Sequence, residues 1–308
     1  MAITIQTQNF GVEIELTGIT RYIAAKTIAK YYSSTFRGIG GSYDTYEAID
    51  NKGRYWKAMK DGSIKTTHKR NGVQTSASSE YSCEVVTPIL QYSDIEDLQE
   101  IIRALVAKGA VVNFSCGIHV HVDGANHTPQ SLTRLLNFAI GRQDLFYEAL
   151  QIGDRENRWC HKISRELLKA MKNDSTKTVH SMEAIWYSRA NDNYGGGISH
   201  EHYNTTRYHG INLHAFFTKG TVEFRLFNGT THAGKIKAYI QFCLAMSAWA
   251  VNANDKMYYK SCSSYTPEQK GALMERVLIR RLGMAGAEFK TARYHLTKAF
   301  NTVSEEVA

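Results

Sequence analysis

The sequence predicts an α+β fold: a curved, mostly antiparallel sheet with helices packed on one face and a polar, chemically active face on the other. Three observations predict it. Short period-two runs recur with one apolar and one charged side, the pattern of an antiparallel sheet covered on a single face. Capped helical segments with a 3.6-residue apolar period lie between those runs. Hydrophobic residues make up 43% of the 308, and aromatics 11%, enough to bury a core.

The elements follow in order. Phe10 to Leu16 alternates Val12, Ile14 and Leu16 against Glu13 and Glu15. Two carboxylates on one strand face repel by roughly 2–4 kcal/mol at an effective dielectric of 20. Solvent removes that cost at an edge, whereas a closed site calls for a cation. Arg21 to Tyr32 reads as a helix, residues 38–42 as a loop, and Tyr43 to Ile49 and Arg54 to Lys60 as strands around the turn Asp50-Asn51-Lys52-Gly53. Asp61-Gly62 is a turn signal first and a site second. Residues 65–80 read as a polar loop, and Tyr81 to Val86 as a strand holding Glu84. Ser93 is expected to cap a helix with Glu96 in a capping box and Gly109 closing it.

The centre of the pattern is Cys116 to Asp123, which reads Cys-Gly-Ile-His-Val-His-Val-Asp. Ile118, Val120 and Val122 share one face; His119, His121 and Asp123 share the other, about 7 Å apart per two-residue step. Imidazoles are metal ligands and acid–base groups, but a solvent-facing polar stripe would look the same. Thr128-Pro129 starts a helix reaching Phe146, residues 154–190 read as helical and charged, and Asn191 to Thr206 reads as a long loop with Gly195-Gly196-Gly197 as a lid. Tyr208 to Phe217 and Thr221 to Phe227 read as a hairpin, with Tyr208, Asn212 and His214 on one face and Glu223 and Arg225 on another. Lys235 to Val251 is a long apolar helix, and Thr266-Pro267 starts the last one.

Composition narrows the function classes. Net charge is +8, which suits nucleic acid or an anionic small substrate. The basic residues are dispersed and the strand faces acidic, which argues against nucleic acid. Five scattered cysteines without a Cys-x-x-Cys read as reduced structural thiols. No apolar run is long enough for a membrane span and the first residues do not read as a signal peptide, so a cytoplasmic location is expected.

Five motifs occur in order: Phe-Gly-Val-Glu-Ile-Glu (10–15), Asp-Gly-Ser-Ile (61–64), Glu-Val-Val-Thr-Pro (84–88), Cys-Gly-Ile-His-Val-His-Val (116–122) and Thr-Val-Glu-Phe-Arg-Leu-Phe (221–227). The set resembles the amidoligase family, grouped with glutamine synthetase and glutamate–cysteine ligase among the carboxylate–amine ligases. The resemblance implies a glutamine-synthetase-like catalytic domain over residues 1–254, with 255–308 as a C-terminal helical extension packed on it. It implies ATP and Mg²⁺ or Mn²⁺ as cofactors. Glu13, Glu15, Glu84, His119 and Glu223 match metal ligands, and His121 matches the histidine nearer the nucleotide. Arg225 matches the arginine on phosphate or on the transferring group. Arg207 and Asn212 correspond by position to phosphate and substrate contacts, and Asp61 is either the group that receives the amine or a plain turn. The partners implied are a small-molecule or peptide carboxylate and an amine, joined through an acyl phosphate. Two other readings stand beside this one. One is a zinc hydrolase using Cys116, His119, His121 and Cys160 or His161, disfavoured by the excess of Glu over Cys and His. The other is a non-catalytic, basic nucleic-acid-binding protein using its 18 tyrosines.

Overall fold

The computed structural model describes residues 2–70, 72–190, 197–254 and 262–301. Among these, the strands are β1 (Phe10–Leu16), β2 (Phe36–Gly40), β3 (Thr45–Ile49), β4 (Tyr55–Met59), β5 (Thr67–Arg70), β6 (Val73–Ser76), β7 (Cys83–Val86), β8 (Gly117–Asp123), β9 (Ile211–Asn212) and β10 (Thr221–Asn228). The helices are α1 (Arg21–Tyr31), α2 (Ile95–Ala107), α3 (Pro129–Ile140), α4 (Gln143–Ala149), α5 (Arg165–Asn173), α6 (Val179–Arg189), α7 (His214–Lys219), α8 (Ala233–Asn252), α9 (Pro267–Arg276) and α10 (Lys290–Thr297). The class is α+β, with a large, mostly antiparallel sheet and helices. No helix among the described residues is long and apolar enough to cross a membrane.

The chain forms two compact units. The first comprises Asn9–Val120 and Phe227–Lys237, the second Met1–Gln8, His121–Leu226 and Ala238–Ala308. In the first unit the strands run β2-β3-β4-β7-β1-β8, with antiparallel pairing from β2 through β1. Register decides which side chains share a face. Glu15 lies opposite Glu84 and Glu13 opposite Val86. Val86 lies opposite Lys57, Lys57 opposite Glu47, and Glu47 opposite Arg37. Directly opposed residues point the same way, so one face carries a row of charges. The other face carries Val12, Ile14, Leu16, Ala48, Trp56, Ala58 and Val85, all buried. Helix α1 packs on β3 and β4 from that side, with its Thr20 hydroxyl accepting the Ile23 N–H at 3.3 Å. Burying a side chain such as Ile14 contributes roughly 2–3 kcal/mol.

The second unit contains the end of β8 with β10 and β9. Strands β10 and β9 pair antiparallel, with Glu223 opposite Asn212. Its core stacks Phe138 on Trp249 and Phe146 edge-on to Phe242, with ring centroids 4.6 and 5.2 Å apart. Helix α9 packs on α4, where Lys270 pairs with Glu148 at 2.7 Å.

Several expectations are corrected. Ser93 is not a helix cap. Tyr92–Asp94 forms a 3₁₀ turn, and Asp94 accepts the Gln91 N–H at 2.8 Å while pairing with Lys52 and Arg54. Residues 65–80 contain the antiparallel β5–β6 pair, with Lys69 opposite Gln74. Phe36–Gly40 is a strand rather than the start of a loop. The helix after Pro129 ends at Ile140 and restarts at Gln143. Residues 154–190 divide into a 3₁₀ turn, α5 and α6. The expected hairpin of 208–217 is mostly absent. The Asn212 side-chain oxygen accepts the His214 N–H at 2.8 Å, offering the backbone a helical start instead of a ladder, and α7 follows. Helix α9 is followed by α10, so it is not the last. Gly195 and Gly196 of the expected lid, and residues 255–261 and 302–308 of the expected extension, lie outside the described residues.

Candidate active site

In the first unit, β1, β7 and β8 bring their polar residues together. One donor atom each from Glu13, Glu84 and His119 lies within 4.8 Å of the others. A second grouping joins Glu15, Asp61 and Glu84 under the same limit, so Glu84 belongs to both. His119 Nδ1 is 2.9 Å from Glu13 Oε2, and its Nε2 is 3.7 Å from Glu15 Oε1. Glu15 Oε2 also accepts the Gly117 N–H at 2.6 Å. His119 is 3% exposed and Glu15 4%. Glu15 and Glu84 are direct cross-strand neighbours, an arrangement that repels unless a cation or proton intervenes.

Backbone geometry sets this cluster. Gly229 donates its N–H to the Cys116 carbonyl at 2.8 Å, just ahead of β8. A Cβ on Gly229 would sit 2.7 Å from the Cys116 Cβ, so only glycine permits that approach. Asp61 is held by Ser82, whose hydroxyl donates to the Asp61 carbonyl at 2.5 Å and accepts its N–H at 3.0 Å. Ser82 is held in turn by buried Arg21, whose Nη1 donates to the Ser82 carbonyl at 2.7 Å. Asp61 Oδ1 also accepts the Ser63 N–H at 2.6 Å. The turn and the carboxylate cluster are thus both present at Asp61.

In the second unit, β9 and β10 build a different arrangement around Glu223. Its Oε1 accepts from Arg225 Nη1 and its Oε2 from Asn212 Nδ2, each at 2.6 Å. All three are buried. His121 lies nearby, with Nε2 3.9 Å from Glu223 Oε1 and Nδ1 3.0 Å from the Thr221 hydroxyl.

Glu223 and Asn212 also line a cavity of about 220 Å³ with His200, Arg207, His214 and Lys219. Arg207 Nη1 donates to the His202 carbonyl at 2.7 Å. His214 Nδ1 meets the Tyr187 hydroxyl at 2.7 Å. Burial first, and Arg207 second, push His214 down to about 4, so it is neutral near pH 7. Burial pushes the Tyr187 phenol up to about 12. His200, Lys219 and Tyr187 carry no expectation from the sequence. The pattern His200-Glu201-His202 was the available signal, but it lies in a loop with no alternating apolar face.

Glu13, Glu15, Asp61, Glu84 and His119 are gathered in the first unit. His121, Arg207, Asn212, Glu223 and Arg225 are in the second. Among the described residues, no cysteine joins a candidate ligand cluster. Cys116 and Cys160 are buried, and burial pushes the Cys160 thiol up to about 11, which does not favour a zinc-binding thiolate.

A family model described as "Putative amidoligase enzyme" matches residues 6–247, well over half of the chain. The protein belongs to the amidoligase family. Comparison with curated proteins returns no match. The match runs from just before β1 into α8, so it spans every site residue named above.

Proposed function

We propose that this amidoligase is an ATP-dependent carboxylate–amine ligase with a glutamine-synthetase-like catalytic fold, acting in the cytoplasm. It would form an amide or isopeptide bond through an acyl phosphate at a divalent-metal site. The observation that carries the reading is the grouping of Glu13, Glu84 and His119 donor atoms within 4.8 Å, with Glu15 and Asp61 grouped around the same Glu84. Four carboxylates and one imidazole form an oxygen-rich donor set, which suits Mg²⁺ or Mn²⁺ better than Zn²⁺. Such an ion, when bound, supplies Lewis-acid neutralisation of phosphate oxygens.

The chain's own residues would act as follows. Glu13, Glu15, Glu84 and His119 hold the cation. His121 and Asn212 contact the nucleotide. Arg225 offsets charge on the transferring phosphoryl group, the electrostatic contribution that commonly dominates such steps, and Arg207 contacts the substrate. The substrate carboxylate oxygen bonds to the γ-phosphorus as the bond to the bridging oxygen breaks, and ADP leaves with the electron pair. The amine nitrogen then bonds to the acyl carbon, the carbon–oxygen bond breaks, and phosphate leaves. Asp61 takes the proton released by the amine.

Titration calorimetry with ATP, with and without Mg²⁺, on wild type and Glu13→Ala tests this. Mg²⁺-dependent binding in wild type that disappears in the variant is expected. A hydroxylamine trap should then yield hydroxamate together with ADP and phosphate when a substrate acid is supplied. Absence of ATP binding by wild type at any Mg²⁺ concentration would overturn the reading.

A further inference from the structure

The cavity beside Glu223 has features that the metal cluster does not explain. Two side chains of α6, Glu183 and Tyr187, stand one helical turn apart and therefore on one face. Each holds a histidine of the cavity wall. Glu183 Oε1 meets His200 Nε2 at 2.5 Å, and the Tyr187 hydroxyl meets His214 Nδ1 at 2.7 Å. Imidazoles tethered through one nitrogen present the other in a fixed direction. Arg207 is fixed as well: Nη1 reaches the His202 carbonyl, and the guanidinium lies 5.8 and 5.9 Å from the Tyr203 and Tyr208 rings. Among the described residues that single hydrogen bond leaves most of its five donors for a ligand. Lys219 adds a second cation to the wall.

We propose that this cavity is the subsite for a second, non-reacting carboxylate of the substrate, held by Arg207 in a two-pronged contact with His200 and His214 as flanking donors. The substrate class is then a small molecule or chain end carrying two functional groups: the one that reacts and a carboxylate that anchors. This rests on the ligase reading and narrows its substrates. Charge selects an anion, since Arg207 and Lys219 line the wall and Glu223 already accepts from Arg225 and Asn212. Size selects a compact group. About 220 Å³ lies below the roughly 300–1,000 Å³ of pockets that enclose drug-sized ligands, so a nucleotide does not fit within it. Geometry selects a planar oxyanion, because the guanidinium fork matches a carboxylate edge.

The test uses the full chain without nucleotide or metal. Succinate and inorganic phosphate are titrated separately, by calorimetry and by following the histidine ring signals in nitrogen-15 NMR. Succinate is expected to bind and to shift the His200 and His214 signals. Arg207→Lys should weaken it by about tenfold, because the two-pronged contact is lost. Tyr187→Phe, a smaller change, should alter the His214 ring signals and weaken succinate by a few-fold. Succinate binding that Arg207→Lys leaves unchanged overturns the proposal, as does phosphate binding at these histidines while succinate does not bind. Succinate binding in a protein that fails to bind Mg²⁺–ATP keeps the carboxylate subsite and removes the ligase reading, so the two failures are separable.

Discussion

The cluster around Glu84 and the cluster around Glu223 use the same residue types to opposite ends. Around Glu84, acceptors face acceptors: Glu15 lies directly across from it, and Glu13 and Asp61 are close by. Around Glu223, the carboxylate already receives Arg225 and Asn212, and the adjoining cavity is lined by Arg207 and Lys219. The first arrangement concentrates negative potential and favours a cation; the second gives its carboxylate two donors beside basic groups that suit an anion. Burial amplifies the first, where Glu15 and His119 are buried, because charges interact more strongly where water is excluded; in the second, Arg207 is half-buried and Lys219 exposed.

The largest expected effect separates the two clusters. Glu84→Gln removes the one carboxylate shared by both groupings of the first unit. It should lower Mn²⁺ affinity by more than about 100-fold, beyond the 10–100-fold typical of outer-shell changes, as read by calorimetry. Succinate binding should stay as in wild type. Equal loss of both ligands would break the contrast.

Next comes Gly229→Ala, which forces a Cβ to within 2.7 Å of Cys116. Overpacking of this kind costs about 1–3 kcal/mol. Urea unfolding should show it, and Mn²⁺ affinity should fall with it because β8 carries His119.

A pH effect sharpens the second unit. His127 is buried between the hydroxyls of Ser131 and Ser247, at 3.0 and 2.9 Å. Burial pushes it from 6.5 down to about 4. The folded state therefore binds fewer protons than the unfolded chain between those values. Its contribution is complete above about pH 6.5 and is lost progressively as pH falls toward 4. The size is about 3 kcal/mol at 1.36 kcal/mol per pH unit. Urea titrations across that window should lose slope in His127→Gln.

Asn212→Ala removes one donor to Glu223 and the acceptor for the His214 N–H. Turnover should drop by about 10–100-fold, near the 1–3 kcal/mol of an unmade buried hydrogen bond. The smallest effect belongs to Arg103→Ala. Its partner Glu100 is exposed, as Arg103 is, and such pairs contribute about 0.2–1 kcal/mol at most. A larger change there would mean that surface charge, rather than the two clusters, dominates the electrostatics.

The two regions also differed in how much the sequence revealed. Glu13, Glu15, Glu84 and His119 were legible because strand alternation puts every second residue on one face, and β1, β7 and β8 obey it. The cavity was much less legible. His214 looks like a strand residue, but its N–H donates to the Asn212 side-chain oxygen as α7 begins, a local hydrogen bond that no period-two pattern announces. His200 and Tyr187 meet His214 and Arg207 through loops and a helix face, across separations that periodicity does not encode. The β5–β6 pair was missed for the converse reason: its polar residues hid the strand signal.

The sequence by itself determined the composition of the polar faces, the main helices and the family motifs, since those depend on spacing along the chain. Only the tertiary structure decided that Glu15 faces Glu84, that Arg21 holds Ser82 and thereby Asp61, and that α6 orients two histidines. Those are matters of register and of contacts between residues far apart in sequence, and a one-residue slip in pairing would turn each strand's carboxylates to the opposite face.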